Sequence, residues 1–137
     1  MKSQIKTTDA PQAIGPYSQA IIVGNIIFTA GQIHLTKSGE LLTGTIEEKM
    51  HQVMQNLEVI LGAAGVTFNE VVKTTVYITD SSVFKVINVV YANYMKSPFP
   101  ARETVVVKEL PMGAEIEISM IAVKKSCCCD QGGECSC

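Results

Sequence analysis

Two helices packed on one face of a mixed sheet, an α+β fold, is the architecture this chain predicts, and three observations predict it. Two stretches place apolar residues at the 3.6-residue spacing of amphipathic helices, several shorter stretches alternate or run apolar as strands do, and their order is roughly β-β-α-β-α-β-β. With 137 residues there is enough chain for one real core, and a second domain is not expected.

The elements follow in order. In "AIIVGNIIFTAGQI" two apolar runs meet at Gly24-Asn25, a dipeptide suited to a two-residue turn, which predicts a hairpin with strands near 20–23 and 26–30. The polar, turn-rich "LTKSGELLTG" then delivers the chain to Thr45, whose hydroxyl can cap a helix while Glu48 completes a capping box. Met50, Val53, Met54, Leu57, Ile60 and Leu61 form the buried stripe of that helix, and Gly65 supplies its stop. "VVKTTVYITD" alternates Val72, Thr74, Val76 and Ile78 against Lys73, Thr75 and Tyr77, the pattern of a half-buried strand. Asp80 or Ser81 can cap the second helix, which carries Val83, Phe84, Ile87, Val90, Tyr91 and Tyr94 on one stripe. It must end before Pro98, because proline disfavours helical geometry in the residue before it. Strands over 103–109 and 115–123 close the chain; the second sets Ile116, Ile118, Met120 and Ala122 on one face and Glu117, Ser119 and Ile121 on the other. Helices on one side leave the opposite sheet face rich in Val, Ile and Thr, more apolar surface than a soluble monomer tolerates, so self-association is expected.

Eleven Lys and Arg against thirteen Asp and Glu give a formal net charge of −2, and no stretch gathers the cations into a patch. Nucleic acid is therefore an unsuitable partner for this surface. "MKSQIKTTDAPQ" lacks the apolar segment of a signal peptide and no run approaches bilayer length, so neither export nor membrane insertion is expected and a cytoplasmic location is. The five cysteines, Cys127, Cys128, Cys129, Cys135 and Cys137, all fall at the end, separating a body of residues 1–124 from a tail of 125–137. The tail has too little apolar surface to offset the entropy of ordering it and reads as flexible; its thiolates can take a soft metal, although "CCC" followed by "CSC" matches no standard zinc motif. In the body, His34 reads as a hydrogen-bonded loop histidine and His51 as a solvated one, and no zinc-ligand spacing occurs.

Three features can carry chemistry. In "SPFPARETVVVKELP", Arg102 is a permanent cation on a proline-stiffened approach to a β-branched run; its planar fork suits a carboxylate, and the competing reading pairs it with Glu103 or Glu109. In "AIGPYSQA", the Gly15-Pro16 turn holds Tyr17, either as a packed tyrosine or as a pocket wall with a hydrogen-bonding tip. In "TAGQI", Gly31 interrupts a strand, which marks a bulge or the close approach of backbone to a ligand.

Taken together, "AIGPYSQA", "TAGQI", "VVKTTVYITD", "NVVYANYM", "FPAR" and "IEISMIAV" resemble the RidA (YjgF) family of enamine and imine deaminases over residues 1 to about 124. The resemblance implies a chorismate mutase-like α+β fold, a homotrimer whose sheets form an inner barrel, and ligand sites in clefts between subunits. It implies hydrolysis of 2-iminobutanoate or 2-iminopropanoate to the 2-oxo acid and ammonia, without metal or organic cofactor. Arg102 matches the carboxylate clamp, and Tyr17, Gly31 and Asn88 match positions of the same pocket; Thr104 stands where many members have Cys. The resemblance also places a water-activating glutamate two residues after Glu117, where this chain has Ser119. A serine can hold a water but is a poor base, so the alternative is a non-catalytic binder of small carboxylates on the same fold. Glu117 itself reads as a structural carboxylate bonded to nearby backbone.

Overall fold

The structure, a computed structural model, describes residues 1–125. The cysteine cluster, with the flexibility and metal binding expected of it, lies outside the described residues. Nine principal elements run β1 (Lys2–Ile5), β2 (Ala20–Val23), β3 (Ile26–Thr29), β4 (Gln32–Ile33), α1 (Ile46–Ala63), β5 (Val71–Ile78), α2 (Phe84–Tyr94), β6 (Ala101–Val106) and β7 (Ile116–Val123). They build one seven-stranded sheet in the order β1-β2-β3-β7-β5-β6, with β4 also paired to β7. Among the described strands only β5 and β6 pair in parallel, and α2 is the crossover that such a pairing requires.

The caps act as expected. Thr45 accepts from the Glu48 amide while Glu48 returns a bond to the Thr45 amide, and Gly65 adopts φ +81° just beyond α1. Asp80 caps a short 3₁₀ turn, Ser81–Val83, that leads into α2. At the hairpin, Gly24 takes φ +61°. Met50, Met54, Leu57, Ile60 and Leu61 of α1 are fully buried against Ile27, Val76, Ile116, Ile118 and Met120 of the sheet, with Ile87 and Val90 of α2 closing the layer. Each such side chain contributes roughly 1.5–3 kcal/mol of transfer free energy. On the face turned away from the helices, Phe28 is exposed and Ile121, Tyr77 and Thr75 are only partly covered.

Three differences from expectation have local causes. β1 is the polar stretch KSQI, with no apolar alternation to announce it, and it exists by pairing with the edge of β2. β4 is two residues long, set apart from β3 where the Thr29 hydroxyl accepts the Met120 amide bond at 2.9 Å. β6 begins at Ala101 and ends at Val106 rather than spanning 103–109, because its register on β5, from Lys73↔Ala101 to Ile78↔Val106, sets its limits. Arg102 therefore lies within the strand.

Candidate functional site

Most of the candidate residues gather in two hollows. The first, about 340 Å³, lies between the 10–19 segment, the β3–β4 junction and the turn at 110–113; Tyr17, Gly31, Ile14, Ile33, Met112 and Glu117 line it. Buried polar side chains fix its walls. Gln19 accepts from the Thr7 amide at 2.8 Å and donates to the carbonyls of Pro11 and Thr7 at 2.8 and 3.1 Å, tying the segment that carries Tyr17 to β2. Asn56 of α1 donates to the Leu35 carbonyl at 2.8 Å and holds the exit of β4.

Gly31 explains why this wall can exist. A Cβ built on Gly31 falls 2.0 Å from Glu117 Oε1, so any side chain at 31 would collide with the carboxylate. Opposite the β3–β4 break, β7 pairs Glu117 with Ile33 on one side and Tyr77 on the other, and the glycine leaves the carboxylate room. The structural role expected of Glu117 is not what the fold provides: among the described residues its carboxylate has no hydrogen-bond partner. Burial alone pushes its pKa above the usual carboxylate value of 4.5. The side chain is an unpaired acid facing a cavity.

The second hollow, about 310 Å³, is lined by Asn88, Tyr91, Ala92, Phe99, Pro100 and Arg102. Arg102 Nη2 donates to Asn88 Oδ1 at 2.7 Å, and the guanidinium carbon lies 4.8 Å from the Tyr91 ring centre and 5.9 Å from that of Phe84. Tyr91 is anchored in turn by its hydroxyl, which donates to Thr74 Oγ1 at 3.1 Å. Glu103 pairs with Lys73, and none of the ion pairs among the described residues includes Arg102. The competing reading, Arg102 neutralised by a neighbouring glutamate, does not hold there: the cation is oriented by neutral groups, with further donors free.

The two hollows lie on opposite sides of the sheet. Arg102 pairs with Thr74, which is fully buried under α2, whereas Glu117 neighbours Ile118, whose side chain enters the helix-covered core. Tyr17 and Gly31 thus share a cavity with Glu117, and Asn88 shares one with Arg102. Thr104 is two residues along β6 on the same face as Arg102 but outside the lining of its hollow. Ser119, paired with Thr75 on the open face, lines neither.

The histidines serve structure. His34 is buried with Nδ1 2.9 Å from the Leu42 carbonyl and Nε2 accepting the Glu115 amide at 3.0 Å; His51 is not free in solvent but sits with Nδ1 2.7 Å from the Tyr94 hydroxyl. Among the described residues no helix is long and apolar enough to cross a membrane, and no group of three or more His, Cys, Asp and Glu is placed to hold a metal.

Glu117 is the residue that sequence reasoning undervalued. Its only signal was Gly31, a strand glycine that made room for something, and naming that something required the β4–β7 register.

Comparison with known proteins places this geometry in a lineage. Residues 7–124 match the family profile described as Endoribonuclease L-PSP. The chain is 48% identical over 126 residues to a RutC family protein of Pyrococcus horikoshii, covering 91% of this chain and all of that one. It is 46% identical over 121 residues to the human 2-iminobutanoate/2-iminopropanoate deaminase, covering 88% of each. The crystal structure of a putative endoribonuclease from Thermotoga maritima superposes with a TM-score of 0.89 at 49% identity, covering 92% of this chain and 100% of that one. A match over nearly the whole folded body, at this identity, means that the chain belongs to the Endoribonuclease L-PSP family, the RidA/YjgF proteins.

Proposed function

We propose that the protein is a 2-imino acid deaminase, acting on substrates such as 2-iminobutanoate and 2-iminopropanoate, whose complete site joins the Arg102 hollow of one copy to the Glu117 hollow of the next in a homotrimer. One observation carries the reading: a guanidinium without an acid and a carboxylate without a donor among the described residues, each held in a hollow, stand on opposite faces of one sheet. A small substrate cannot reach both in a single chain. A second copy resolves this and also covers the apolar face that carries Phe28 and Ile121.

In this reading Arg102 clamps the substrate carboxylate through two parallel donors, while Asn88 and the Tyr91 ring keep the fork in plane. Glu117, ionised at the start, takes a proton from a water as the oxygen bonds to the imine carbon and the C=N electron pair moves to nitrogen, and it passes that proton to the nitrogen to give the neutral carbinolamine. Glu117 then takes the hydroxyl proton and delivers it to nitrogen as the C=O forms and the carbon–nitrogen bond breaks, so that ammonia leaves, the 2-oxo acid remains and Glu117 is ionised again. A carboxylate with a raised pKa suits both steps, being a stronger base than an ordinary one and a ready donor in return. The role that the resemblance gave to position 119 thus passes to Glu117, and Ser119 takes no part. The name of the human relative supports this chemistry.

RNA cleavage, which the family description names, is the second reading. The net charge of −2 and the lack of a basic patch weigh against it.

Hybrid assembly tests the proposal. Chains carrying Arg102→Ala and chains carrying Glu117→Gln are each expected to hydrolyse 2-iminobutanoate negligibly. Unfolded and refolded together in equal amounts, they regain about a quarter of the sites, since one junction in four then joins an intact Glu117 to an intact Arg102. No recovery on mixing, with each parent folded and trimeric, refutes the shared site.

A further inference from the structure

We infer that Met112, with Ile14 facing the same hollow, is a specificity-determining residue that favours 2-imino acids with extended or branched aliphatic side chains over the one- and two-carbon tails of the simplest ones. The inference rests on the deaminase reading above.

It begins with backbone. Met112 has φ +59°, the only non-glycine residue among those described in the left-handed region. L-residues avoid this region because Cβ crowds the backbone, and glycine enters it freely, as Gly113 does alongside at φ +75°. A turn that needed only its shape would be more stable with glycine at 112. Strain of this kind persists where the side chain is wanted, and here the side chain borders the cavity that holds Glu117.

The surroundings say what it is wanted for. Met112 is 53% exposed and Ile14 is 76% exposed, so neither is spent on the core. The two residues come from separate segments, the turn before β7 and the loop before β2, yet line one hollow with Ile33, Leu35 and Pro11. An unbranched thioether is suited to varied aliphatic shapes, because it repacks with little cost. Glu117 and Tyr17 supply the polar side of the same space.

Size points the same way. With the carboxylate held at Arg102, in the other hollow, the 340 Å³ around Glu117 need take only the reacting carbon and the side chain. That is room for about ten water molecules at roughly 30 Å³ each. A methyl or ethyl group leaves nearly all of it wet, whereas an isobutyl or thioether tail displaces several of those waters from the apolar wall. Each added methylene laid on this wall is worth about a fourfold gain in kcat/KM at the usual transfer value.

The experiment compares imines generated in place from leucine and from alanine, using the full chain, Met112→Gly and Ile14→Ala. The wild type is expected to favour the leucine-derived imine in kcat/KM by about tenfold or more, and Met112→Gly to reduce that ratio by about four- to tenfold. Because glycine accepts φ +59° without strain, Met112→Gly should melt at or above the wild-type temperature, which separates lost selectivity from lost folding. A ratio unchanged in both variants overturns the inference. Thermal shift with 4-methyl-2-oxopentanoate and with pyruvate reads the same preference without turnover. If no imine is hydrolysed but the longer acid stabilises more, and Met112→Gly erases the difference, the deaminase reading falls and the side-chain site stands. If the two acids stabilise alike, the side-chain site falls.

Discussion

The hollow around Arg102 and the hollow around Glu117 are of similar volume and hold opposite charges, yet they are built by contrary means. Arg102 is surrounded by groups that hold and orient a cation: the Asn88 oxygen, the Tyr91 face and the Phe84 face. Glu117 is given no donor, and burial raises its pKa. The first arrangement holds a cation ready for a charge present throughout a reaction. The second keeps a carboxylate at a cost to stability and leaves its lone pairs free. A binding group and a reacting group differ in just this way, since only the latter gains from being poorly solvated in the ground state.

Substitution of Glu117 should break the comparison most severely. Glu117→Gln keeps size and polarity and removes the base, so kcat for imine hydrolysis should fall by about 10²- to 10⁴-fold with a smaller change in KM. The same variant should be more stable at neutral pH. The sign follows from the raised pKa: the native state favours the protonated acid, so stability is highest below the ordinary value of 4.5 and is lost as pH rises through the elevated one. A neutral amide escapes that loss. Activity runs oppositely, falling as acid protonates Glu117. Urea unfolding and kcat/KM measured across pH check both directions, and a Glu117→Gln protein that is less stable at pH 7 contradicts the unpaired-acid description.

Arg102→Ala follows, with an expected loss of about a hundredfold or more in kcat/KM, and thermal stabilisation by 2-oxo acids should vanish with it. Arg102→Lys should recover little, because an ammonium offers no planar fork and stacks less well on Tyr91. Full rescue by lysine means that only charge matters and that the oriented fork is incidental. Asn88→Ala is the smaller perturbation: it removes one orienting bond of 2.7 Å and leaves the cation in place, so KM should rise by about three- to tenfold with kcat less affected. Equal effects in Asn88→Ala and Arg102→Ala point to collapse of the hollow instead.

The two hollows were also unequally legible. The framework around them announced itself locally: the Thr45–Glu48 capping box, the α1 stripe and the Gly24-Asn25 hairpin each act within a few residues, where periodicity and capping chemistry are decisive. Arg102 was found because a permanent cation on a stiffened approach is conspicuous in sequence, and Asn88 only through the family resemblance that "NVVYANYM" helps to carry. Glu117 was not, since strand alternation gave its face and could not give its neighbour; the collision with a Gly31 side chain depends on how β4 registers against β7. β1 escaped for the same reason, being a polar tetrapeptide that becomes a strand only through its partner. Met112 left no trace at all, because a positive φ in a non-glycine residue contradicts local preference and reflects demands made from outside the turn.

His34 sharpens the comparison from the other side, as a titratable group whose hydrogen bonds are complete where those of Glu117 are absent. It is 1% exposed. Its Nε2 accepts the Glu115 amide, so the proton resides on Nδ1 and is donated to the Leu42 carbonyl. Protonation would set a donor against a donor at Glu115, and Lys49, which pairs with Glu115 at 2.6 Å, adds a second positive charge nearby, offset in part by the Glu115 carboxylate. Burial, first among the causes, holds the pKa below the ordinary 6.5. A lowered pKa means that the unfolded chain binds the proton more readily, so this stabilisation is complete above about pH 6.5 and is lost as pH falls through the depressed native value. His34→Gln should remove that pH-dependent segment and cost about 1 kcal/mol at pH 7.5, the ordinary worth of the bond it breaks. Unfolding free energies at pH 7.5 and 5.5 decide it: a gap between the two pH values that stays as large in His34→Gln assigns the acid sensitivity to another group.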